Sequence, residues 1–192
     1  MIRGEKIELR GVGGYSETST LAQLMEWRNL PEMRRWFREY RELTWGEHIE
    51  YWKSRANRKD ECHFVVSTQT VNVFDPSVHD LKNPFTVIGY AGLTKIHPVN
   101  RTAEFGIYLA PEYQGKGFGK DALMTLLRYG FEELNLNRIW AEVYEGNRAL
   151  KLYQRIGFKQ EGTLHEHVFK DGSYIDSYMI GLLRTEWDGF DE

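Results

Sequence analysis

Residues 114–120 have the composition of an anion-binding turn. The stretch Gln114-Gly115-Lys116-Gly117-Phe118-Gly119-Lys120 comes after an apolar run at 105–109 that stops at Pro111, and a helical pattern begins directly behind it. A glycine turn between a strand and a helix exposes backbone N–H groups that lack partners, at the positive end of the helix dipole. Such a turn binds a phosphate or pyrophosphate. A turn with a purely structural role is the alternative.

The glycine spacing distinguishes this turn from two other phosphate-binding motifs. A P-loop has Ser or Thr after its lysine, whereas Asp121 follows Lys120 here. The dinucleotide-binding pattern G-x-G-x-x-G also fails, because the glycines fall at 115, 117 and 119. The pattern that fits is Q-x-x-G-x-G, which runs from Gln114 to Gly119.

The elements that must position the turn are predicted from hydrophobic periodicity. Behind the turn, apolar residues recur at the spacing of one buried helix face: Leu123, Leu126, Leu127, Phe131 and Leu134. Residues 138–144 alternate like a strand, so strand, helix and strand imply a right-handed crossover between parallel strands. A short helix at 149–156, ended by Gly157, and a hairpin of 163–170 with 173–183 complete this half.

The N-terminal half is predicted to contain two helices. The first begins within 16–20 and ends at Pro31, and the second begins at Thr44, which forms a capping box with Glu47. The residues expected on the buried face of the second helix are Trp45, Ile49 and Trp52. At 34–41, arginines alternate with aromatic residues. We interpret this stretch as a solvated helix face with a buried aromatic edge, and a site for an anionic ligand is the alternative.

Strands and one long connection account for the rest of the chain. Residues 6–10, 63–67 and 85–93 are predicted strands, and 94–101 a turn. The connection at 68–84 is longer than most loops inside a domain. Helices and strands are mixed along the chain, with strands at both ends, so the expected fold class is α+β.

Composition narrows the classes of function. The chain has 192 residues, so 1–192 is expected to form a single domain with a proper core. A net charge of −3 offers no electrostatic surface for nucleic acid, and no apolar run suits a membrane span or a signal peptide. Cys62 is the single cysteine, which favours a reducing compartment, so the cytoplasm is expected. His165 and His167 share a strand face, but two ligands do not make a metal site, and none is expected.

The C-terminal half resembles the GNAT superfamily of acyl-CoA N-acyltransferases. The Q-x-x-G-x-G turn matches the pyrophosphate-binding signature of that superfamily, and Ala149-Leu150-Lys151-Leu152-Tyr153 with Gly157-Phe158 matches its last motif. Three stretches are similar to the branch that contains RimJ, RimL and the spermidine acetyltransferases: Trp27-Arg28-Asn29, Glu161-Gly162-Thr163-Leu164 and Phe169-Lys170-Asp171-Gly172. The implied fold is the GNAT fold, a mixed central sheet flanked by helices.

The resemblance implies that acetyl-CoA is the co-substrate. Its pantetheine arm would pair with the strand at 105–109, where two parallel strands splay apart, and its pyrophosphate would bind the turn at 114–120. The residues implied to bind it are Ile107, Tyr108, Leu109, Gln114, Gly115, Lys116, Gly117, Phe118, Gly119, Lys120 and Asn147. Asn147 precedes Tyr153 by six positions, one fewer than is usual in the family, so a helix N-cap is its alternative role.

Two catalytic residues are implied in the same way. A lysine-type ammonium has a pKa of about 10.4 and must lose a proton before it attacks. Glu104 is the candidate base or ammonium-binding group, with a surface ion pair as its alternative role. Tyr153 holds the motif position of the acid that protonates the departing thiolate, with packing against Phe158 as the alternative. The amine attacks directly, and a backbone N–H near Leu109 faces the oxyanion.

The acceptor is expected to be a primary amine. A polyamine or other small amine is the first choice, and the N-terminus of a protein, such as a ribosomal protein, is the second. A non-catalytic module that senses CoA is the alternative from a different class. The resemblance also implies a homodimer in which the final hairpin pairs across subunits.

Overall fold

The computed structural model describes residues 1–12, 17–69 and 85–189. Within these ranges one sheet has the strand order β1-β2-β3-β4-β5-β6-β8-β7. Its strands are β1 (Ile2–Arg3), β2 (Ile7–Gly11), β3 (Cys62–Gln69), β4 (Phe85–His97), β5 (Thr102–Leu109), β6 (Arg138–Tyr144), β7 (Lys159–Lys170) and β8 (Ser173–Leu183). The α-helices are α1 (Glu17–Asn29), α2 (Pro31–Arg34), α3 (Trp45–Arg55), α4 (Phe118–Arg128) and α5 (Ala149–Ile156).

The strand directions confirm the predicted α+β class and its crossover. β5 and β6 are parallel, and the other neighbouring strands are antiparallel. The predicted strand at 138–144 and helix at 149–156 are confirmed to the residue, and Gly157 ends that helix in the left-handed conformation, with φ of 114°. The predicted capping box of Thr44 and Glu47 is also present.

Each face of the sheet is covered by different helices, and β5 contributes to both. Phe105 and Leu109 lie in a core shared with the buried face of α4 and with residues of α5. Tyr108 packs on the opposite side, where Leu24 and Trp27 of α1 form a second core. Because side chains alternate along a strand, Glu104 also lies on the α1 side. A ligand between β5 and β6 therefore has a different set of side chains above and below it.

Asp121 fixes the start of α4 against the first hairpin of the sheet. Its carboxylate accepts hydrogen bonds from the backbone N–H groups of Glu5, Lys6 and Ile7, over 3.0, 2.6 and 3.0 Å. Asp121 is 6% exposed and lies in the first turn of the helix, where a negative charge is favoured by the helix dipole. The contact holds Lys6 beside the glycine turn that precedes α4.

The predicted boundaries are wrong in several places. β4 continues to His97, so the first part of the predicted turn at 94–101 is a strand. On α3, His48 is 2% exposed and Trp45 is 39% exposed, so Trp45 does not lie on the buried face. The arginine-rich stretch is helical only as far as Arg34. Most of the predicted 68–84 connection lies outside the described residues. The first helix is described from Glu17, within the range 16–20 where it was expected to begin.

Candidate active site

The parallel strands β5 and β6 separate after a short paired segment. They pair at Thr102 with Arg138, at Ala103 with Ile139 and at Glu104 with Trp140, and the pairing ends there. β5 continues to Leu109 and β6 to Tyr144, so a gap opens between them beyond Glu104. This gap is where the sequence predicts that an extended ligand pairs with the backbone.

The N–H groups of Ile107 and Leu109 point into this gap. The N–H of Ala110 donates to the carbonyl of Ile88 on β4 over 2.9 Å. In an antiparallel pair, residues that hydrogen-bond to the partner alternate with residues that face away from it. Tyr108 therefore bonds to β4, while Ile107 and Leu109 present their main-chain groups to the side where β6 has separated. Tyr108 offers the gap no main-chain group, and its ring stacks on Tyr90 instead.

The glycine turn has the conformation that an anion-binding loop needs. Gly115 and Gly117 have φ of 73° and 88°, a region that other residues rarely adopt. Gly117 is the N-cap of α4 and accepts the hydrogen bond from the N–H of Asp121, so the three N–H groups before Asp121 have no partner within the helix. The side-chain amide of Gln114 donates to the carbonyl of Leu109 over 2.9 Å. Gln114 thereby ties the turn to the end of β5.

Lys6 adds a positive charge to the turn that sequence analysis missed. A Cβ atom built on Gly117 would lie 3.3 Å from Nζ of Lys6. Lys116 and Lys120 were predicted from their place in the motif, but Lys6 lies far away in the sequence and reaches the turn through the Asp121 contact. The alternating pattern of the predicted strand at 6–10 gave no signal of this role. The turn, the helix start and Lys6 together suit the phosphates of a CoA molecule.

Glu104 lies at the mouth of the gap and is held by two cations. It is 6% exposed, its Oε1 accepts a hydrogen bond from Nη2 of Arg38, and Nζ of Lys95 lies 2.8 Å from its Oε2. Burial by itself raises the pKa of this carboxyl, but Arg38 and Lys95 outweigh burial, so the pKa of Glu104 lies below its ordinary value. The group is ionised at neutral pH and suits an ammonium ligand better than it suits direct proton abstraction.

Glu142 is a second carboxylate at the mouth of the gap. It lies on β6, on the same strand face as Trp140. Its Oε2 accepts from Nη2 of Arg38 over 3.0 Å, and Nε2 of His167 lies 3.6 Å from its Oε1. Strand alternation could have suggested Glu142 from the sequence, since β6 is the parallel partner of the strand that carries Glu104. Arg38 gave no such signal, because its segment has no regular structure.

Tyr153 is placed on the other face of the gap. Its ring is 7% exposed and packs edge-on against Phe105, with ring centroids 5.1 Å apart, and against Phe158 at 6.1 Å. Among the described residues, no hydrogen-bond partner of its hydroxyl is found. Burial raises the pKa of Tyr153, so the hydroxyl keeps its proton at neutral pH. A thioester in the gap would therefore meet Glu104 on one side and a protonated tyrosine on the other.

The remaining candidate, Asn147, lies one residue before Arg148, the N-cap of α5. Its Oδ1 accepts the N–H of Ala149 over 3.0 Å, and its carbonyl accepts the N–H of Leu150 over 3.2 Å. The alternative prediction that Asn147 is itself the N-cap is therefore wrong by one residue, although its side chain does satisfy an N–H group at the start of the helix. Its side-chain nitrogen remains for a ligand, so the cofactor contact stays a prediction. Within the described ranges, no group of three His, Cys, Asp or Glu side chains is arranged to hold a metal ion.

The site combines a splayed parallel strand pair, a glycine turn at a helix start, and a gap with a carboxylate on one side and a protonated tyrosine on the other. This combination is typical of an enzyme that moves an acyl group from CoA. The model of the acetyltransferase (GNAT) domain family matches residues 16–159. The chain belongs to this family, has the GNAT fold and is an N-acetyltransferase. None of the helices in the described ranges is long and apolar enough to cross a membrane.

Individual relatives agree with the family assignment. The chain is 33% identical over 156 residues to a spermidine N(1)-acetyltransferase of Vibrio cholerae serotype O1, covering 81% of this chain and 82% of the relative. It is 36% identical over 105 residues to a putative ribosomal N-acetyltransferase, YdaF, of Bacillus subtilis, covering 54% and 57%. A crystal structure of the Vibrio cholerae spermidine N-acetyltransferase with CoA and spermine superimposes with a TM-score of 0.80, at 29% identity over 94% of this chain and 97% of that one.

Proposed function

We propose that the protein transfers the acetyl group of acetyl-CoA to a primary amine of a polyamine or similar small amine. The observation that carries the proposal is the pair of carboxylates, Glu104 and Glu142, at the mouth of the β5–β6 gap. Their side chains are 7% and 11% exposed, and both already bind a cation. The relatives and solved structures that act on or bind polyamines support the same acceptor class.

The chain's own groups have defined parts in the proposed reaction. Acetyl-CoA supplies an activated acetyl group, whose C–S bond breaks as the amine nitrogen bonds to the acetyl carbon. The N–H groups of Ile107 and Leu109 hold the pantetheine arm and face the carbonyl oxygen. Glu104 binds the incoming ammonium, whose proton leaves through a water molecule before the nitrogen attacks. Tyr153 gives its proton to the departing sulfur.

The test is release of CoA thiol with a panel of amines in which putrescine and n-butylamine have the same chain length and differ in charge. Spermidine, putrescine, n-butylamine and a peptide with a free N-terminus are each supplied with acetyl-CoA. We expect release with spermidine and putrescine, and at least about tenfold less kcat/KM with n-butylamine, because it lacks the second ammonium that a carboxylate holds. Binding of acetyl-CoA without release with any amine would instead indicate a CoA sensor.

Acetylation of a protein N-terminus is the second candidate. The specific observation in its favour is the similarity to the ribosomal-type relative. In this case the peptide would support release and the polyamines would not. The same panel therefore separates the two acceptors in one experiment.

We further propose a homodimer formed through the β7–β8 hairpin, which exposes Phe169 and Tyr174 at 59% and 64%. One structure of the Vibrio cholerae relative is dodecameric, so the solution mass, as a multiple of 22.6 kDa, decides between these assemblies.

We also propose that the reaction needs no metal. A structure of that relative contains manganese ions, and unchanged kcat after treatment with EDTA is the result expected here.

Two proposals concern the whole chain. We propose that residues 1–192 fold as one domain, supported by the continuous sheet that joins β1 to β8. A single cooperative unfolding transition is the expected result. We propose a cytoplasmic location, supported by Cys62 as the single cysteine, and expect the activity in the cytoplasmic fraction of cells that express the protein.

A further inference from the structure

One nitrogen atom of Arg38 lies between two carboxylates. Its Nη2 donates to Oε1 of Glu104 and, over 3.0 Å, to Oε2 of Glu142. The carboxylate side chains are 7% and 11% exposed, whereas the side chain of Arg38 is 54% exposed. The anionic site therefore belongs to the sheet, and the cation reaches it from outside. A nitrogen that contacts two nearly buried carboxylates is in the environment that an ammonium group needs.

The two carboxylates come from the two strands that flank the gap. Glu104 is the last residue of β5 that pairs with β6, and its partner there is Trp140. Glu142 lies two positions beyond Trp140 on β6. Because side chains alternate along a strand, both carboxylates face the same side of the sheet, beside the opening of the gap. A cavity of about 300 Å³ adjoins this point. The residues that line it include Arg38, Tyr40, Glu142, Tyr144, His167 and Lys170.

The segment that carries Arg38 is fastened across the cavity by the tip of the β7–β8 hairpin. We call residues 35–38 the strap. Nζ of Lys170 donates to the carbonyl of Phe37 over 2.9 Å. Arg35 forms an ion pair of 2.9 Å with Asp171, in which both side chains are more than half exposed. These two hairpin contacts are weak because the ion pair is largely solvated, while the ring of Phe37 packs edge-on against Tyr108, with centroids 5.3 Å apart.

We propose that Arg38 is an internal competitor of the acceptor: its guanidinium occupies a cation subsite formed by Glu104 and Glu142, and an ammonium of the acceptor binds by displacing it. The proposal rests on the proposed function, because it needs an acceptor that is a cation. Without a cation, two desolvated carboxylates close together are costly, so Arg38 stabilises the free enzyme. When the acceptor enters, its ammonium replaces that charge and the half-exposed guanidinium returns to water. Lys95 stays on Glu104 throughout, which keeps Glu104 ionised.

The proposal predicts that removal of the Arg38 charge makes the acceptor bind more tightly. In the Arg38→Gln variant no guanidinium occupies the subsite. The acceptor therefore no longer has to break the ion pairs of the half-exposed Arg38 with Glu104 and Glu142. The expected change is a decrease in Kd and KM for spermidine of about fivefold. KM for acetyl-CoA is expected to stay unchanged, because Arg38 lies on the face of the gap opposite Tyr153.

The matched control is Arg41→Gln. Arg41 has the same 54% exposure but pairs with Glu39 and Glu47, outside the gap. We expect it to leave the binding of spermidine unchanged. Arg35→Gln is the second test variant, since it frees the strap at an exposed ion pair without changing the subsite or the fold. Like Arg38→Gln, the Arg35→Gln variant is expected to have a lower Kd for spermidine than the wild type.

The experiment is calorimetric titration of spermidine into each enzyme in the presence of CoA, next to the thiol-release assay. Tighter binding by both test variants, and not by Arg41→Gln, supports the proposal. An unchanged or higher Kd for spermidine in folded Arg38→Gln overturns the proposal and makes Arg38 a positioning residue. The proposal is also overturned if none of the proteins binds spermidine. Calorimetry does not require turnover. If the test variants bind spermidine more tightly but the wild type releases no CoA, only the proposed function is refuted. If the wild type releases CoA but the test variants do not bind spermidine more tightly, only this inference is refuted.

Discussion

Replacement of Tyr153 by phenylalanine separates catalysis from packing in the proposed mechanism. The ring of Tyr153 packs against Phe105 and Phe158, and phenylalanine keeps those contacts. The hydroxyl has no hydrogen-bond partner among the described residues, so its removal leaves no group unsatisfied there. We expect the free energy of unfolding to change by less than about 1 kcal/mol.

The effect on the rate follows from what the hydroxyl supplies. General acid catalysis contributes about 100-fold or more to a rate, so we expect kcat of Tyr153→Phe to fall about 100-fold, or about 2.7 kcal/mol of barrier. KM for acetyl-CoA is expected to change little. Burial raises the pKa of Tyr153 above the ordinary 10.0, so the hydroxyl stays protonated at pH 7 and at pH 9. The decrease should therefore be the same at both pH values.

The assay is the initial rate of CoA thiol release with spermidine and acetyl-CoA both saturating. The matched control is Tyr129→Phe, since its hydroxyl lies 3.8 Å from Sγ of Cys62 rather than beside Phe105. Both variants are checked for an unchanged melting temperature. A decrease of less than about threefold in a folded Tyr153→Phe enzyme would remove Tyr153 from the proton transfer and leave it as a packing residue.

Three further substitutions test other parts of the structure. Lys6→Ala should raise KM for acetyl-CoA about two- to fivefold, and less at high salt, because an exposed ammonium beside the phosphates is lost. Lys59→Ala, which removes an exposed lysine from the bend before β3, should have no effect, and equal effects would exclude a specific contact. Asp121→Asn should lower the free energy of unfolding in urea by about 2–3 kcal/mol, since one of its oxygens becomes a donor facing backbone N–H groups; an unchanged midpoint would contradict this role. His48 is held neutral by burial, which lowers its pKa, and its Nε2 accepts from Trp52 over 3.0 Å. The unfolded chain therefore binds more protons than the folded chain below about pH 6.5, so the free energy of unfolding of the wild type falls from pH 7 to pH 5. His48→Gln should reduce that fall. Parallel curves of the free energy of unfolding against pH for the two proteins would contradict this role of His48.

Local patterns in the sequence predicted the part of the site that binds the cofactor. The glycine turn is encoded within a few residues, because only glycine adopts the φ values of Gly115 and Gly117 at low cost. The strand, helix and strand around it follow from periodicity, and their order implies the parallel pair that opens the gap. The position of Tyr153 follows from the family motif on α5.

Contacts between distant segments determined the part of the site that meets the acceptor. Arg38 is separated from Glu104 by 66 positions and from Glu142 by 104. The alternation of arginines and aromatic residues at 34–41 suggested a solvated helix face, whereas the structure shows a guanidinium on two carboxylates. Lys6 likewise reaches the glycine turn through Asp121, 115 positions away. The sequence by itself thus determined the α+β class and the cofactor turn, since these follow from local periodicity and glycine spacing, and the family motifs implied the GNAT fold. Only the tertiary structure decided which charges meet at the mouth of the gap, because that depends on how strands and loops far apart in the chain pack together.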